Sequence, residues 1–343
     1  MSWINEKGPL SDVVLSSRVR LARNLADTPF PTVMNGVDRD SVVHRVRRSV
    51  LGQDFSIQDY YQFLTIHDLS PADRQILVEK HLASPDLMEQ AQGAAILVNQ
   101  REICSIMVNE EDHIRLQCIF PGYQLNEAFV YINKVDDAIE DQLPYAFDED
   151  LGYLTCCPTN IGTGMRASVM MHLPALTATG QMKLILQTLA KVGITVRGLY
   201  GEGSEAIGDI FQISNQITLG ASEEEIISNL DVVAKQIVER ERQSRYALMK
   251  NDRLQFEDNI WRAFGTMTHA KLMRLDEFMN LLSKVRLGVE MGIIPNIDIQ
   301  GINELMIMGQ PAHLKKFGLQ NSDQKNLDAV RARVAAQKLG HNQ

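Results

Sequence analysis

The hydrophobic and polar positions change their periodicity along the chain. Alternation predicts strands at residues 103–108 and 114–120, on either side of a short acidic segment. A helical pattern covers residues 181–192 and ends at Gly193, before a further predicted strand at Ile194–Arg197. The first two thirds of the chain therefore mix strands and helices.

From about residue 222 the pattern becomes almost wholly helical. Ser222 and Glu225 have the spacing of a capping box, and apolar residues follow at helical intervals. Further helices are predicted between glycine, proline and asparagine signals, at residues 254–264, 272–289, 301–308 and 322–339. The pattern predicts an α+β domain over residues 1–245 and an all-helical domain over residues 246–343.

Composition narrows the class of protein. With 343 residues, 45% of them hydrophobic, the chain can bury one large core or two ordinary ones. A net charge of −9 argues against nucleic-acid binding over the whole surface, although 34 lysines and arginines can still gather in one cleft. The N-terminus lacks a signal-peptide pattern, and no apolar run approaches the ~18 residues that cross a bilayer. We therefore expect no nucleic-acid partner and no membrane partner.

The cysteines are sparse: Cys104, Cys118, Cys156 and Cys157. None belongs to a Cys-x-x-Cys pair matched by a second pair, so the sequence predicts no zinc site and no other protein-held metal. Sparse cysteine is typical of a reducing compartment, which favours a cytoplasmic location.

Arginines recur at positions that a strand would turn away from the core. On an extended strand Arg18 and Arg20 point to one face, with Val19 and Leu21 on the other. Each arginine alone is typical of a solvated surface, but the pattern recurs further along the chain.

Three more arginines extend this set. Arg115 and Arg197 each lie opposite apolar neighbours on a predicted strand, and Arg166 follows a loop that contains Gly162 and Gly164. Guanidinium groups stay charged and bind phosphate oxygens in pairs, and glycines let the backbone approach the same anion. The set favours a polyphosphate ligand, although no P-loop sequence is present.

Two glutamates and a cysteine suggest the second ligand. Glu111 and Glu202 could be ordinary loop carboxylates, or they could hold the planar donors of a guanidinium and accept the proton that it releases. Cys157 would then meet the same cation. The segment Gly201–Ala206 also matches a dinucleotide-binding pattern, but its two glutamates would repel a pyrophosphate.

Four ordered segments, SSRVRLAR, NEEDHIR, CPTNIGTGMRASV and VRGLYGEGSEA, resemble the signature blocks of the phosphagen (guanidino) kinases. The resemblance implies a catalytic domain built on an antiparallel sheet flanked by helices, here followed by an all-helical domain. It implies ATP and Mg²⁺ as cofactors, Glu111 as the catalytic base, Glu202 as a second carboxylate on the guanidinium, and Cys157 as a thiol that contacts the substrate.

The same resemblance implies a set of ATP-binding residues within these segments, together with one histidine. The set is Ser16, Ser17, Arg18, Val19, Arg20, His81, Arg115, Arg166, Ala167, Ser168, Val169, Met170, Arg197, Gly198, Leu199, Tyr200 and Gly201.

Departures from the pattern indicate a branch of the family. Small-molecule phosphagen kinases carry a helical domain before the paired-arginine block, which here begins at Ser16, and their glutamate loop commonly reads GEH where this chain reads GEG. The chain resembles the bacterial branch that phosphorylates arginine side chains of proteins and marks them for a Clp chaperone–protease. That resemblance implies protein substrates, a zinc-binding activator and a homodimer.

A phosphoarginine-binding motif of that branch, R-D-x-x-R-A, has a partial match in the last helix. Asp328 and Arg331 agree with the motif, whereas Leu327 replaces its first arginine. The alternative is an ordinary amphipathic helix that uses Leu327, Val330 and Val334 as its core face.

Two other functions remain open at this point. One is a kinase for free arginine or another small guanidino compound. The other is a non-catalytic adaptor that binds phosphorylated arginines or chaperone partners through its helical domain.

Overall fold

We describe the fold from a computed structural model of the chain. The structure describes residues 3–53, 55–57, 59–90, 92–198, 206–316 and 323–340.

One large sheet organises the first part of the chain. The strands in this part of the chain are β1 (Val14–Arg23), β2 (Tyr61–Thr65), β3 (Ala95–Asn99), β4 (Cys104–Val108), β5 (Ile114–Pro121), β6 (Phe147–Asp148), β7 (Gly152–Tyr153), β8 (Met165–His172), β9 (Ile194–Gly198) and β10 (Ile210–Asn215). Of these, β6 and β7 form a small separate hairpin. Among the described residues the sheet has eight strands in the order β2-β3-β4-β5-β1-β8-β10-β9. All of its neighbouring strands are antiparallel.

Helices pack on both faces of this sheet and make up the rest of the chain. They are α1 (Gly36–Leu51), α2 (Pro71–Glu79), α3 (Pro85–Glu89), α4 (Leu125–Glu140), α5 (Pro174–Ala178), α6 (Met182–Ala190), α7 (Glu223–Asn251), α8 (Arg253–His269), α9 (Leu275–Glu290), α10 (Ile299–Met308), α11 (Pro311–Lys316) and α12 (Gln324–Gly340). The α+β class with a helical C-terminal part is confirmed.

Helix α7 begins as its sequence predicts. The Ser222 side chain accepts from the Glu225 backbone N–H at 3.1 Å, and the Glu225 carboxylate accepts from the Ser222 N–H at 2.9 Å. This reciprocal capping satisfies two N–H groups that the first turn of a helix leaves without partners. The helix continues past residue 245 without a break and ends at Asn251, so the division at residue 245 stays a prediction.

Alternation within the strands determines which face of the sheet is apolar. Val19, Leu21 and Leu116 are fully buried in one cluster, together with Ile132 of α4 and Leu230 of α7. Side chains two residues apart on a strand share a face, so the arginines at positions 18 and 20 lie on the opposite face.

A second core belongs to the helical part of the chain. Phe278 of α9 and Leu305 of α10 lie at its centre, and Leu15, Met170 and Ile210 join it from the sheet. The helical part therefore packs against one end of the sheet, at the start of β1 and the end of β8.

Most elements predicted from periodicity are present, with ends that differ by a few residues. Helix α11 was missed because the sequence Gly309-Gln310-Pro311 was interpreted as a break, whereas proline is well suited to the first turn of a helix. In the part of the chain that the structure describes, no helix combines the length and apolar character needed to cross a membrane.

Candidate active site

Five arginines lie on one face of five neighbouring strands. Arg20 of β1 is paired with Arg166 of β8, and Ala22 with Arg115 of β5. On the other side Gln212 of β10 is paired with Arg197 of β9. Cross-strand partners share a face, so the register brings together side chains that the sequence separates.

The pKa values show that these guanidinium groups act on one another. Burial, together with the charges of Arg115 and Arg166, lowers the pKa of Arg18 to about 10. The pKa of Arg20 is lowered well below its ordinary value by burial and by the same neighbours, whereas Glu110 raises it. Clustered positive charge with so few acidic partners is a site for a multiply charged anion.

Arg166 connects this cluster to the cysteine loop. Its pKa is lowered by burial and by the charges of Arg197 and Arg115, while Cys157 acts in the opposite direction. The Nε of Arg20 is buried without a hydrogen-bond partner among the described residues. The guanidinium donors are therefore only partly used within the protein.

Four residues of the predicted ATP-binding set lie on the other face of the sheet. Ser17, Val19, Ala167 and Val169 are fully buried in the core. The Ser17 hydroxyl donates to the Gly122 carbonyl at 3.0 Å. The strand turns these four side chains away from the arginine face, so their place in the ATP-binding set stays a prediction that only their backbone could fulfil.

Three other residues of that set share the arginine face but are covered. Ser16 and Ser168 are each 2% exposed, and Met170 is 5% exposed. Met170 packs into the core of the helical part. Its side chain therefore serves the join between the two parts of the chain.

A cavity of about 1070 Å³ opens beside the arginine face. Arg18, Arg20 and Arg115 line it, as does His81. Burial, reinforced by Arg18, lowers the pKa of His81 to about 3, so this imidazole is neutral at physiological pH. The ring lies 5.8 Å from the ring of Trp3, centroid to centroid. His81 is thus a neutral side chain in the cavity wall, in tilted contact with Trp3.

The acidic segment before β5 brings two glutamates to Arg115. Glu111 Oε2 accepts from Arg115 Nη2 at 3.2 Å, and Glu111 is 42% exposed. The Glu110 carboxylate is buried against Nη1 of the same arginine, and its Oε1 has no partner among the described residues. Sequence reasoning selected Glu111 and passed over Glu110.

Asp112 joins this segment to the cysteine loop. Its Oδ1 accepts from the backbone N–H of Cys156 at 2.7 Å and from Asn24 Nδ2 at 2.7 Å. Asp112 is fully buried. Because Glu111 precedes Asp112 and Cys157 follows Cys156, this bond joins the two loops that carry the predicted catalytic groups.

The two adjacent cysteines differ in their surroundings. Burial, together with the charges of Asp112 and Glu111, raises the pKa of Cys156 to about 12. The Sγ of Cys157 lies 3.0 Å from Oγ1 of Thr159. Cys156 is therefore a protonated neighbour of the acidic segment.

The cysteine loop is held from two further sides. Arg23 donates from Nη1 to the Thr163 carbonyl at 2.9 Å, and Thr218 donates to the Ile161 carbonyl at 2.7 Å. Gly162 has φ +110°, and a Cβ there would lie 2.1 Å from the Thr218 carbonyl oxygen. This close approach requires glycine.

Arg23 itself lies on the core face of β1. It pairs with Asp136 at 2.6 Å, and its guanidinium carbon lies 3.5 Å from the centroid of the Tyr153 ring. An arginine at a core-face position indicates a buried partner, and that signal was available in the sequence.

Part of the predicted site lies outside the described residues. Glu202, Leu199, Tyr200 and Gly201 belong to this part. Gly198 ends β9, next to the exposed Arg197.

The predicted phosphoarginine site has a different arrangement. Arg331 is fully buried and donates to the Gly309 carbonyl at 2.8 Å, to the Met273 carbonyl at 2.8 Å and to Asp328 at 2.7 Å. This guanidinium is enclosed by partners within the protein, and phosphoarginine binding by Asp328 and Arg331 stays a prediction. Leu327 lies in the adjoining core, as the amphipathic-helix alternative predicts.

Sequence reasoning also missed polar residues that share the arginine face. Gln212 accepts from Arg18 Nη2. Gln117 donates to the His81 carbonyl at 2.7 Å. Gln117 lies two residues after Arg115 on the same strand, so strand parity could have identified it.

Comparison with known families agrees with this geometry. Residues 41–244 match the family described as ATP:guanido phosphotransferase, C-terminal catalytic domain. Residues 253–343 match the Protein-arginine kinase McsB C-terminal domain.

Two similar proteins, which match this chain over most of their length, are both protein-arginine kinases. The chain is 50% identical over 329 residues to the protein-arginine kinase of Caldanaerobacter subterraneus subsp. tengcongensis, covering 96% of this chain and 97% of that protein. It is 51% identical over 316 residues to the protein-arginine kinase of Pelotomaculum thermopropionicum, covering 92% and 89%.

Solved structures resemble the catalytic part. A lombricine kinase structure has a TM-score of 0.60 at 25% identity and covers 69% of this chain and 68% of its own. The duplicated taurocyamine kinase of Schistosoma mansoni, with bound transition state analogue components, has a TM-score of 0.59 at 26% identity, covering 67% of this chain and 33% of its own.

The eight-stranded sheet with its arginine face defines a phosphotransferase of the ATP:guanido class. Within that class, sequence identity near 50% over almost the whole length shows that the chain belongs to the protein-arginine kinases.

Proposed function

We propose that this protein transfers the γ-phosphoryl group of Mg-ATP to arginine side chains of other proteins. One observation carries the proposal: five arginines share one face of the sheet, beside a carboxylate and a thiol whose loops are bonded together. The arginines would bind a polyphosphate, and the carboxylate and the thiol would receive a cation.

The arginine face would hold the nucleotide phosphates. Arg18, Arg20 and Arg115 line the cavity, and Arg166 lies beside them. Phosphoryl transfer needs little covalent work from the protein, so catalysis depends on positioning and on stabilising charge as it spreads over the phosphoryl oxygens. Guanidinium groups fixed by a sheet meet both needs without reorganising.

Glu111 would receive the acceptor arginine. In the structure it already accepts from a guanidinium, that of Arg115, at 3.2 Å. When phosphates engage Arg115, the Glu111 carboxylate becomes able to orient a substrate guanidinium. A guanidinium has a pKa above ~12, so its proton must pass to Glu111 as the nitrogen bonds to phosphorus and the bond to the β-phosphate oxygen breaks.

Cys157 and Glu202 complete the proposed acceptor site. Cys157 raises the pKa of Arg166, and its loop is bonded through the Cys156 N–H to Asp112, the residue after Glu111. We assign to it a contact with the substrate guanidinium. Glu202 would supply the second carboxylate, and this role rests on the family resemblance.

Magnesium fits this site as part of the nucleotide. Within the described residues no cluster of three acidic, histidine or cysteine side chains could hold a metal alone. Mg²⁺ usually binds through substrate phosphates with few protein ligands, so it would enter this site together with the nucleotide. Bound there, magnesium would neutralise charge on the phosphates.

The family resemblance also supports a proposal for the biological setting. We propose a cytoplasmic enzyme that forms homodimers, responds to a zinc-binding activator and marks proteins for a Clp chaperone–protease. We further propose that residues 1–245 and 246–343 are its two domains.

The deciding experiment supplies labelled ATP with either a denatured generic protein or free arginine. Mass spectrometry at neutral or basic pH should find phosphoarginine on the protein, because acid cleaves the P–N bond. Phosphorylation of free arginine alone would favour a small-guanidine kinase, and no transfer to either acceptor would favour the adaptor.

A further inference from the structure

The cavity beside the arginines is not formed by the catalytic part alone. Leu275 of α9, together with Gln310 and Lys315 next to and within α11, lies on its wall. These residues come from the helical part of the chain. The cavity wall therefore has two parts, the arginine face of the sheet and these residues of the helical part.

Glu79 fastens α11 to α2 at this wall. Its carboxylate accepts from the backbone N–H groups of Ala312 at 2.8 Å and His313 at 3.1 Å, and from His313 Nδ1 at 2.6 Å. Glu79 is only 8% exposed. A buried carboxylate that accepts three bonds from one helix start fixes the position of that helix.

The helical part and the arginines Arg20 and Arg166 lie towards opposite ends of strands β1 and β8. Leu15 joins the core of the helical part, whereas Arg20 lies five residues further along β1, roughly 16 Å away at the usual strand rise. On β8 the order is the same, with Met170 at the helical part and Arg166 at the far end. Leu314 of α11 belongs to the same core cluster as Leu15 and Met170, so α11 lies towards that end of the strands, whereas Arg20 and Arg166 lie towards the other.

We infer that the helical part completes the nucleotide site, with Glu79 positioning α11 so that Lys315 contacts the nucleoside end of ATP. This inference rests on the proposed function, which places the triphosphate on the arginines. Lys315 forms no ion pair with any described residue. Its ammonium can donate to ribose oxygens or to acceptor nitrogens of the base.

Lys316 provides a matched control on the same helix. It pairs with Asp73 at 3.1 Å at the surface, and it does not line the cavity. Exposed pairs of this kind contribute little to stability. Lys315→Ala and Lys316→Ala therefore remove the same charge from adjacent positions.

Calorimetric titration of the full-length variants with ATP and with inorganic triphosphate tests the inference. We expect Lys315→Ala to weaken ATP binding about tenfold while triphosphate binding stays within about twofold. Lys316→Ala should leave both affinities within about twofold of wild type. Glu79→Gln should raise the KM for ATP and leave the KM for the protein acceptor unchanged.

Each other outcome has a defined meaning. Unchanged ATP affinity in Lys315→Ala overturns the inference while leaving the kinase proposal intact. Equal weakening of ATP and triphosphate would place Lys315 at the phosphates and also overturn it. A wild-type protein that binds no ATP contradicts the proposed function, and the inference with it.

Discussion

The carboxylate of Asp112 accepts from the backbone N–H of Cys156 at 2.7 Å. The bond joins two loops 44 residues apart in sequence, and each loop carries a proposed catalytic group next to the bonded residue. Glu111 and Cys157 therefore owe their relative position to a residue that need not touch the substrate.

Asp112→Ala should uncouple those two groups. We expect the protein-acceptor kcat/KM to fall at least about tenfold, because misplacing reacting groups by a fraction of an ångström is costly. ATP affinity should change little, because pairing between β1, β5 and β8 holds the arginines of these strands independently of the Asp112 bond. Steady-state kinetics with ATP and acceptor varied in turn provide the measurement.

Asn24→Ala is the companion variant. Asn24 bonds the same Asp112 oxygen at 2.7 Å, so its loss should reproduce the defect in milder form. If Asp112→Ala keeps its acceptor kcat/KM within twofold of wild type, the coupling has no catalytic importance.

Removing the proposed acceptor groups themselves should separate binding from chemistry. Glu111→Gln and Cys157→Ala should abolish or greatly reduce phosphoarginine formation while ATP binding is largely retained. Phosphoarginine is measured by mass spectrometry at neutral pH, and ATP binding by titration. Full activity in either variant would show that the role given to that residue is wrong.

The arginine face illustrates what the sequence predicts well. Strand alternation indicated that Arg18 and Arg20 oppose Val19 and Leu21, and the structure has this arrangement. Alternation is local, so neighbouring residues suffice to predict it. It also explains why the Ser17 side chain lies away from the arginines, because a family block covers both faces of a strand.

The contacts that sequence reasoning missed join distant segments. Asp112 and Cys156 lie in different loops, and Glu79 is separated from Ala312 by 233 residues. No local sequence pattern indicates that residues so far apart in sequence are hydrogen-bonded. The same holds for Arg331, whose backbone partners Gly309 and Met273 carry no side-chain signal.

Arg331 should be a structural residue. Arg331→Met removes donors from two carbonyls and the cationic partner of Asp328, which should lower the free energy of unfolding by roughly 3 kcal/mol. Arg333, two residues on and exposed, supplies the control, and Arg333→Met should cost little. Urea denaturation of the three proteins measures the difference.

Free phosphoarginine distinguishes the two interpretations of this helix. A structural Arg331 predicts that millimolar phosphoarginine does not change the urea midpoint of the wild-type protein. A rise in that midpoint that Arg331→Met abolishes would restore the binding-site interpretation.

Buried neutral histidines should make stability depend on pH. Burial, reinforced by Arg286 and Arg245, lowers the pKa of His172 well below its ordinary value near 6.5. Below pH ~6.5 the unfolded chain takes up a proton that the folded protein refuses, so the stability present above this pH is lost as the pH falls. The loss at pH 5.5 should be up to about 1.4 kcal/mol for this residue.

A variant isolates this effect from the carboxylates that titrate in the same range. His172 Nε2 lies 2.8 Å from Ser283 Oγ, and glutamine keeps a polar group there without a titrating one. The urea-derived stability of His172→Gln should therefore fall less between pH 7.5 and pH 5.5 than that of wild type. His44→Gln, at an exposed position, should show the wild-type fall. An equal fall in all three proteins would mean that His172 accepts a proton in the folded state.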